Sequence, residues 1–161
     1  MKAQVVYDSV FGNTEKIARA IGEGFAENVE ATDVLSTKEA SYDDLKELDF
    51  LVTGAPTHGG RPSPNMKEFL DGIPDSSLNN LTVVAFDTRS EGENNSIPVR
   101  IITRILGYAA GRIAKALEAK GGKSGGEPQG FRVAGREGPL EEGELDRARN
   151  WGKELSNLAT N

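Results

Sequence analysis

The sequence predicts an α/β fold in which a doubly wound, five-stranded parallel sheet carries helices on both faces. Three observations support this. Short β-branched runs alternate along the chain with stretches of helical apolar periodicity. The runs Val5 to Tyr7, Phe50 to Val52 and Val83 to Phe86 are continuous in apolar residues, as strands buried on both faces are. Parallel neighbours need crossover connections, and the helical stretches between the runs supply them. With 161 residues the chain is read as a single domain over 1–161, and a domain of that size buries roughly 70% of its unfolded surface.

The elements follow in order. Ala3-Gln4-Val5-Val6-Tyr7 forms a first strand and turns through Gly12-Asn13-Thr14 into a helix. On that helix Ile17, Ala20, Ile21 and Phe25 share a face, and Glu15 sits in the first turn, where the dipole favours an anion. Val29 to Val34 reads as a second strand, Ser41 with Asp44 as a capping box, and Phe50 to Ala55 as a buried third strand. Ser63-Pro64 then provides an N-cap and first helical residue for a helix with Met66, Phe69 and Leu70 on one face. Leu81 to Phe86 is the fourth strand. A helix from Tyr108 to Lys120 stops at Gly121-Gly122, Phe131-Arg132-Val133 is all or part of the fifth strand, and Leu145, Ala148, Trp151 and Leu155 mark the last helix. The stretch from Thr88 to Gly107 is too long for a simple connector. Within it Ile97 to Leu106 reads as a short amphipathic helix with Arg100 and Arg104 four residues apart, suited to packing, a lid or a homodimer contact.

Composition narrows the chemistry. Nineteen basic against twenty-five acidic side chains leave a formal charge of −6, which repels phosphate backbones and anionic lipid, so neither nucleic acid nor a membrane surface is an expected partner. There is no cysteine and one histidine, which excludes disulfides, thiolate nucleophiles, Fe–S clusters and His-rich metal sites. Met1-Lys2 leads straight into a strand, without a signal peptide or spanning segment, so the expected location is the cytoplasm. The carboxylate pairs Asp43-Asp44 and Glu141-Glu142 lie at expected helix starts, where the dipole accounts for them without acid–base catalysis. Ser9 lacks the G-x-S-x-G elbow of a nucleophilic triad.

In an open α/β sheet, ligands bind beyond the carboxyl ends of the strands, which directs attention to three loops. The first, Asp8-Ser9-Val10-Phe11-Gly12-Asn13-Thr14, joins a strand to a helix N-terminus. Outward backbone N–H groups and the side chains of Ser9, Asn13 and Thr14 make it a phosphate cradle that needs no basic residue. Simple helix capping by Asn13 and Thr14 is the competing explanation. The loop is not a P-loop: Gly122-Lys123-Ser124 has Leu117 where that motif needs its first glycine. Gly22-Glu23-Gly24 lies near a helix end and lacks the third glycine of a dinucleotide fingerprint.

At this loop, and at Pro56-Thr57-His58-Gly59-Gly60 after the third strand, the chain resembles the flavodoxin family of FMN proteins, in its short form. The resemblance implies the strand order 2-1-3-4-5, for which flavodoxin is the standard example. The family's first loop carries a hydroxyl residue, any residue, a second hydroxyl residue, then Gly-x-Thr; Ser9, Val10, Phe11, Gly12, Asn13 and Thr14 stand at those positions, with Phe11 replacing the second hydroxyl. Aromatic residues at this position also occur in the flavodoxin modules of larger flavoproteins.

The second loop resembles the family's isoalloxazine loop, and His58 stands where a residue often stacks on the inner flavin face. An imidazolium there would favour the anionic reduced ring. Gly59-Gly60 would let a peptide turn its carbonyl toward flavin N5, or else forms a plain tight turn. The third loop, Asp87-Thr88-Arg89, would border the pyrimidine edge, with Tyr108 as the outer aromatic and Arg89 either near N1 and O2 or paired with a surface carboxylate.

The resemblance thus implies an electron carrier that holds FMN and docks to redox partner proteins. Two alternatives are an FMN-dependent NAD(P)H quinone or nitro-compound reductase on the same fold and a cofactor-free interaction module. A phosphorylated receiver domain is excluded, because the third strand ends in Gly54-Ala55 where its acceptor aspartate belongs.

Overall fold

Strand β1 (Lys2–Tyr7) lies between β2 (Ala31–Ser36) and β3 (Phe50–His58), both parallel to it, and β3 pairs in turn with β5 (Thr82–Arg89). The computed structural model describes residues 1–90 and 107–160. Its sheet runs β2-β1-β3-β5-β6. The short β6 (Lys123–Ser124) and β7 (Gln129–Arg132) pair with successive parts of β5, so the fifth strand of the expected order 2-1-3-4-5 comes in two pieces. An extra two-residue strand, β4 (Arg61–Pro62), folds back antiparallel on the end of β3. The expected amphipathic segment at 97–106, and the dimer contact read into it, fall outside the described residues.

The helices cover both faces because side chains along each strand alternate between them. On one face Val5, Tyr7, Phe50, Val52, Val84, Phe86 and Phe131 pack beneath α1 (Asn13–Phe25) and α4 (Glu144–Thr160). On the other, Val6, Leu51, Ala55, Val83 and Ala85 meet α2 (Pro64–Gly72) and α3 (Ala109–Ala119). Each large side chain fully buried in these layers contributes roughly 1.5–3 kcal/mol of transfer free energy. Helices α1 and α4 touch backbone to backbone. A Cβ on Gly152 would lie 2.2 Å from the Ile21 carbonyl oxygen, so only a residue without one lets the helices approach so closely.

Several boundaries differ from expectation. Strand β2 starts at Ala31 instead of Val29, whose side chain is buried in the core before the strand begins. Ser41 and Asp44 do not make a capping box: the segment is a single 3-10 turn, Asp44–Glu47, with no side-chain cap. The Gly121-Gly122 stop is as expected, with Gly122 N–H donating to Leu117 and Gly121 N–H to Glu118, the paired bonds of a Schellman cap.

Candidate functional site

The carboxyl ends of β1, β3 and β5 converge, and the first loop leaves β1 still tethered to its neighbour: the Asp8 N–H donates to the Gly54 carbonyl at 3.1 Å. The buried Asp8 carboxylate accepts from the Ser63 hydroxyl and, at 3.3 Å, from Asn65. Ser63 therefore precedes α2 as expected but spends its hydroxyl on Asp8, making no side-chain cap bond to its own helix. The Ser9 hydroxyl accepts from the N–H groups of Gly12 at 3.1 Å and Glu15 at 3.3 Å, which holds the loop closed against the first turn of α1. Among the described residues no group accepts from the Asn13 or Thr14 N–H, so two donors face outward at the positive end of the helix dipole. Thr14 shares a hydrogen bond of 2.7 Å with Thr88 of β5, joining the first and third regions. Val10 and Phe11 project outward, 54% and 45% exposed.

The second region is a strand end, because β3 continues through Pro56, Thr57 and His58 before reversing. Sequence reading stopped the strand at Ala55, since Pro56 cannot donate to a ladder. Pro56 stands opposite Thr88 of β5, one residue before the pairing with β4 begins at Thr57. Gly59 and Gly60 have φ of 56° and 78°, the two positive values that a type I′ turn requires, so the pair does form a tight turn. The Thr57 hydroxyl accepts the Ala109 N–H at 3.1 Å, at the start of α3. His58 is exposed.

The third region is likewise strand. β5 runs three residues beyond the expected Phe86, carrying Asp87, Thr88 and Arg89 in register with Gly130, Phe131 and Arg132 of β7. Asp87 and Arg89, two apart, point to one side. The wholly buried Asp87 carboxylate accepts from Arg89 Nε at 2.7 Å and Nη2 at 2.8 Å, and also from the Ala110 N–H at 2.9 Å. The Arg89 guanidinium lies 3.4 Å from the centre of the Tyr108 ring. It also rests on Gly130, where a Cβ would come within 2.2 Å of Cζ. Arg89 thus pairs with a buried carboxylate instead of a surface one. Asp87 and Thr57 together satisfy the first two N–H groups of α3.

One contributor was missed by sequence reading. After β7 the chain forms a hairpin, with Val133 bridging Leu140 and the Ala134 N–H donating to the Pro139 carbonyl at 2.8 Å. Its tip touches the first loop, where Asn13 Nδ2 donates to the Glu137 carbonyl at 3.0 Å. Gly135 and Gly138-Pro139 between two apolar positions were the available signal. Glu144, in the first turn of α4, anchors the hairpin base by accepting the Arg132 N–H at 2.7 Å and both Nε and Nη2 of Arg147. Those Arg147 bonds, reinforced by the Arg132 N–H, hold the Glu144 carboxyl below the usual carboxylate range against the opposing effect of burial. The Glu141-Glu142 pair lies just ahead of α4, not in it. No group of three or more potential metal ligands occurs among the described residues, and no helix there is long and apolar enough to cross a membrane.

Comparison with known proteins gives this site a context. A flavodoxin from Aquifex aeolicus is 39% identical over 74 residues, 45% of this chain and 40% of that protein. An NAD(P)H dehydrogenase (quinone) from Geotalea daltonii is 28% identical across 99% of this chain and 97% of its own. A flavodoxin from Clostridium saccharobutylicum is 26% identical, covering 98% and 96%. Among solved structures, an archaeal flavodoxin superposes with a TM-score of 0.79 at 23% identity over the whole of both chains. Oxidised flavodoxin 1 from Bacillus cereus gives 0.74 at 18% identity, with 98% of each covered. The Flavodoxin family profile matches residues 5–151, and the chain belongs to the flavodoxin family, whose members bind FMN.

Proposed function

We propose that the chain works as one FMN-binding domain that carries electrons between redox partner proteins. The observation that carries this reading is the first turn of α1, where the outward N–H groups of Asn13 and Thr14 stand beside the Ser9 and Thr14 hydroxyls. That set consists of donors at a positive helix end, which is what a phosphate monoester needs. Open space also supports the fit, since nothing lies within 4 Å of a Cβ built on Gly12 or Gly59.

In this reading Ser9, Val10, Phe11, Gly12, Asn13 and Thr14 form the phosphate loop. Pro56, Thr57, His58, Gly59 and Gly60 border the ring on one side, and Asp87, Thr88, Arg89 and Tyr108 on the other. FMN, when bound, supplies the reversible electron acceptance; the protein binds, orients and shields it. Thr57 and Asp87 act at one remove by fixing the start of α3, and Arg89 fixes the Tyr108 ring. The net charge of −6 favours partners with basic docking faces and an association that weakens with salt. A cytoplasmic setting suits such a carrier.

Titration of the purified chain with FMN, riboflavin and FAD, followed by flavin fluorescence, tests the cofactor. Strong preference for FMN over riboflavin is expected, and equal binding of the two would remove the phosphate loop from the account. The full-length similarity to a quinone dehydrogenase supports a second reading, an NAD(P)H-dependent quinone reductase. Steady oxidation of NAD(P)H by the FMN-loaded chain with a quinone would favour that reading, and its absence the carrier.

A further inference from the structure

The hairpin after β7 reaches the candidate phosphate loop from more than a hundred residues away in sequence, and its contact there is specific. Asn13 is the first residue of α1, only 8% exposed, and its side-chain amide is bound to the Glu137 carbonyl at 3.0 Å. Gly138 presses on the same side chain: a Cβ there would lie 2.6 Å from Nδ2 and 2.8 Å from Oδ1 of Asn13. Its φ of +99° is a second reason for glycine at this position. The tip is closed by the Gly138 N–H on the Gly135 carbonyl at 3.1 Å, and the base by the Glu141 N–H on the Arg132 carbonyl at 2.9 Å. Leu140 packs into the core on the α1 and α4 side, so the hairpin rests on the body of the protein.

The loop it touches lacks a feature. Phe11 offers no hydroxyl and lies 45% exposed, which leaves the backbone amides of the first turn and two hydroxyls as its donors. Amides recognise an anion well only when their directions are fixed beforehand, since ordering them on binding costs free energy. Resting on the FMN reading, we propose that the Val133–Leu140 hairpin is a latch that, by gripping Asn13, holds the first-turn amides of α1 in place and sets the preference for a phosphorylated flavin over its dephosphorylated form. Asn13 is then a positioning residue, acting through the backbone it anchors.

The test uses the full chain as wild type, Gly138→Ala, Asn13→Ala and the double variant. FMN and riboflavin dissociation constants are measured by fluorescence, and amide hydrogen exchange of residues 12–15 is measured without flavin. Each single variant is expected to weaken FMN about ten-fold while riboflavin changes less than about two-fold, the scale of one lost anchoring interaction. The double variant should bind FMN no worse than Asn13→Ala alone, because removing the asparagine side chain makes room for the added methyl. Exchange at Gly12 and Glu15, whose N–H groups bind the Ser9 hydroxyl, should quicken in both single variants.

An FMN affinity that falls in Asn13→Ala but not in Gly138→Ala would make Asn13 a direct phosphate ligand and overturn the latch. Equal losses of FMN and riboflavin would reduce the effect to ordinary destabilisation and also overturn it. Should Gly138→Ala fail to fold, Asn13→Ala decides, and unchanged exchange at Gly12 and Glu15 refutes the proposal. A wild-type chain without preference for FMN sinks the cofactor reading and the latch with it, whereas a preference that Gly138→Ala leaves undiminished sinks the latch alone.

Discussion

The two ends of the candidate site are built from different materials. The first loop is held by short polar side chains and backbone amides, most of them within six residues of one another, such as Ser9 with Gly12 and Glu15. The Asp87, Arg89 and Tyr108 end is an ionic clamp assembled from distant segments, with a buried carboxylate tied to the Ala110 N–H and a guanidinium laid between Gly130 and an aromatic ring. The difference teaches that one end is poised to accept an anion while the other has already satisfied its charges internally. Damage to the clamp should therefore register as lost stability, and damage to the loop as lost affinity.

The largest effect should come from Asp87→Ala, which strands the Arg89 guanidinium and unties α3. A loss of about 3–5 kcal/mol is expected in denaturant unfolding, the range for removing one partner of a buried pair. A loss below about 1 kcal/mol would mean that the clamp is exposed to water in solution. Gly130→Ala comes next: its methyl must displace the guanidinium from beneath, at roughly 1–3 kcal/mol, and the same unfolding curves measure it. Ser9→Ala should reverse the pattern. The two N–H groups it frees can turn to water, so stability falls by only about 1 kcal/mol while FMN affinity falls and riboflavin affinity holds.

Acid gives a graded test at the base of the hairpin that follows β7. The Glu144 carboxyl is held below its ordinary value of 4.5 in the folded chain. The stability this contributes is fully present above that value and is lost as pH falls through the lower, folded one. Glu144→Gln should flatten the acid limb of a stability–pH curve and leave the neutral region lower. The smallest effect is expected from Lys67→Ala, whose partner Asp71 is 65% exposed; a change within about 0.5 kcal/mol is the scale of such pairs.

Legibility in the sequence followed the same division. The helix faces and the succession of strands along the chain could be read because apolar spacing is local, whereas the order of strands in the sheet came from the family resemblance; Ser9, Gly12 and Thr14 drew attention because they sit where a strand gives way to a helix. Strand ends were read short at Ala55 and Phe86, since the two strands continue through pairing with each other and with β4 and β7, which no local pattern announces. Arg89 read as a charge either facing a ligand or paired at the surface, because its partner, Asp87, reads as a loop residue until β5 is extended. The Asn13 contact with Glu137 spans 124 residues, beyond the reach of any spacing argument.

The close approach of α1 to α4 at Gly152 also fixes when the protein can finish folding. Residues 144–160 supply the helix that α1 packs against at Gly24 and Gly152, so a chain synthesised only as far as β5 lacks that cover, although Phe25 already has Phe50 to pack on. Sheet pairing up to β5 can precede that moment, but the core on this face cannot close. Until residues 144–160 are available, part of this apolar face is open to chaperones and to other copies of the chain.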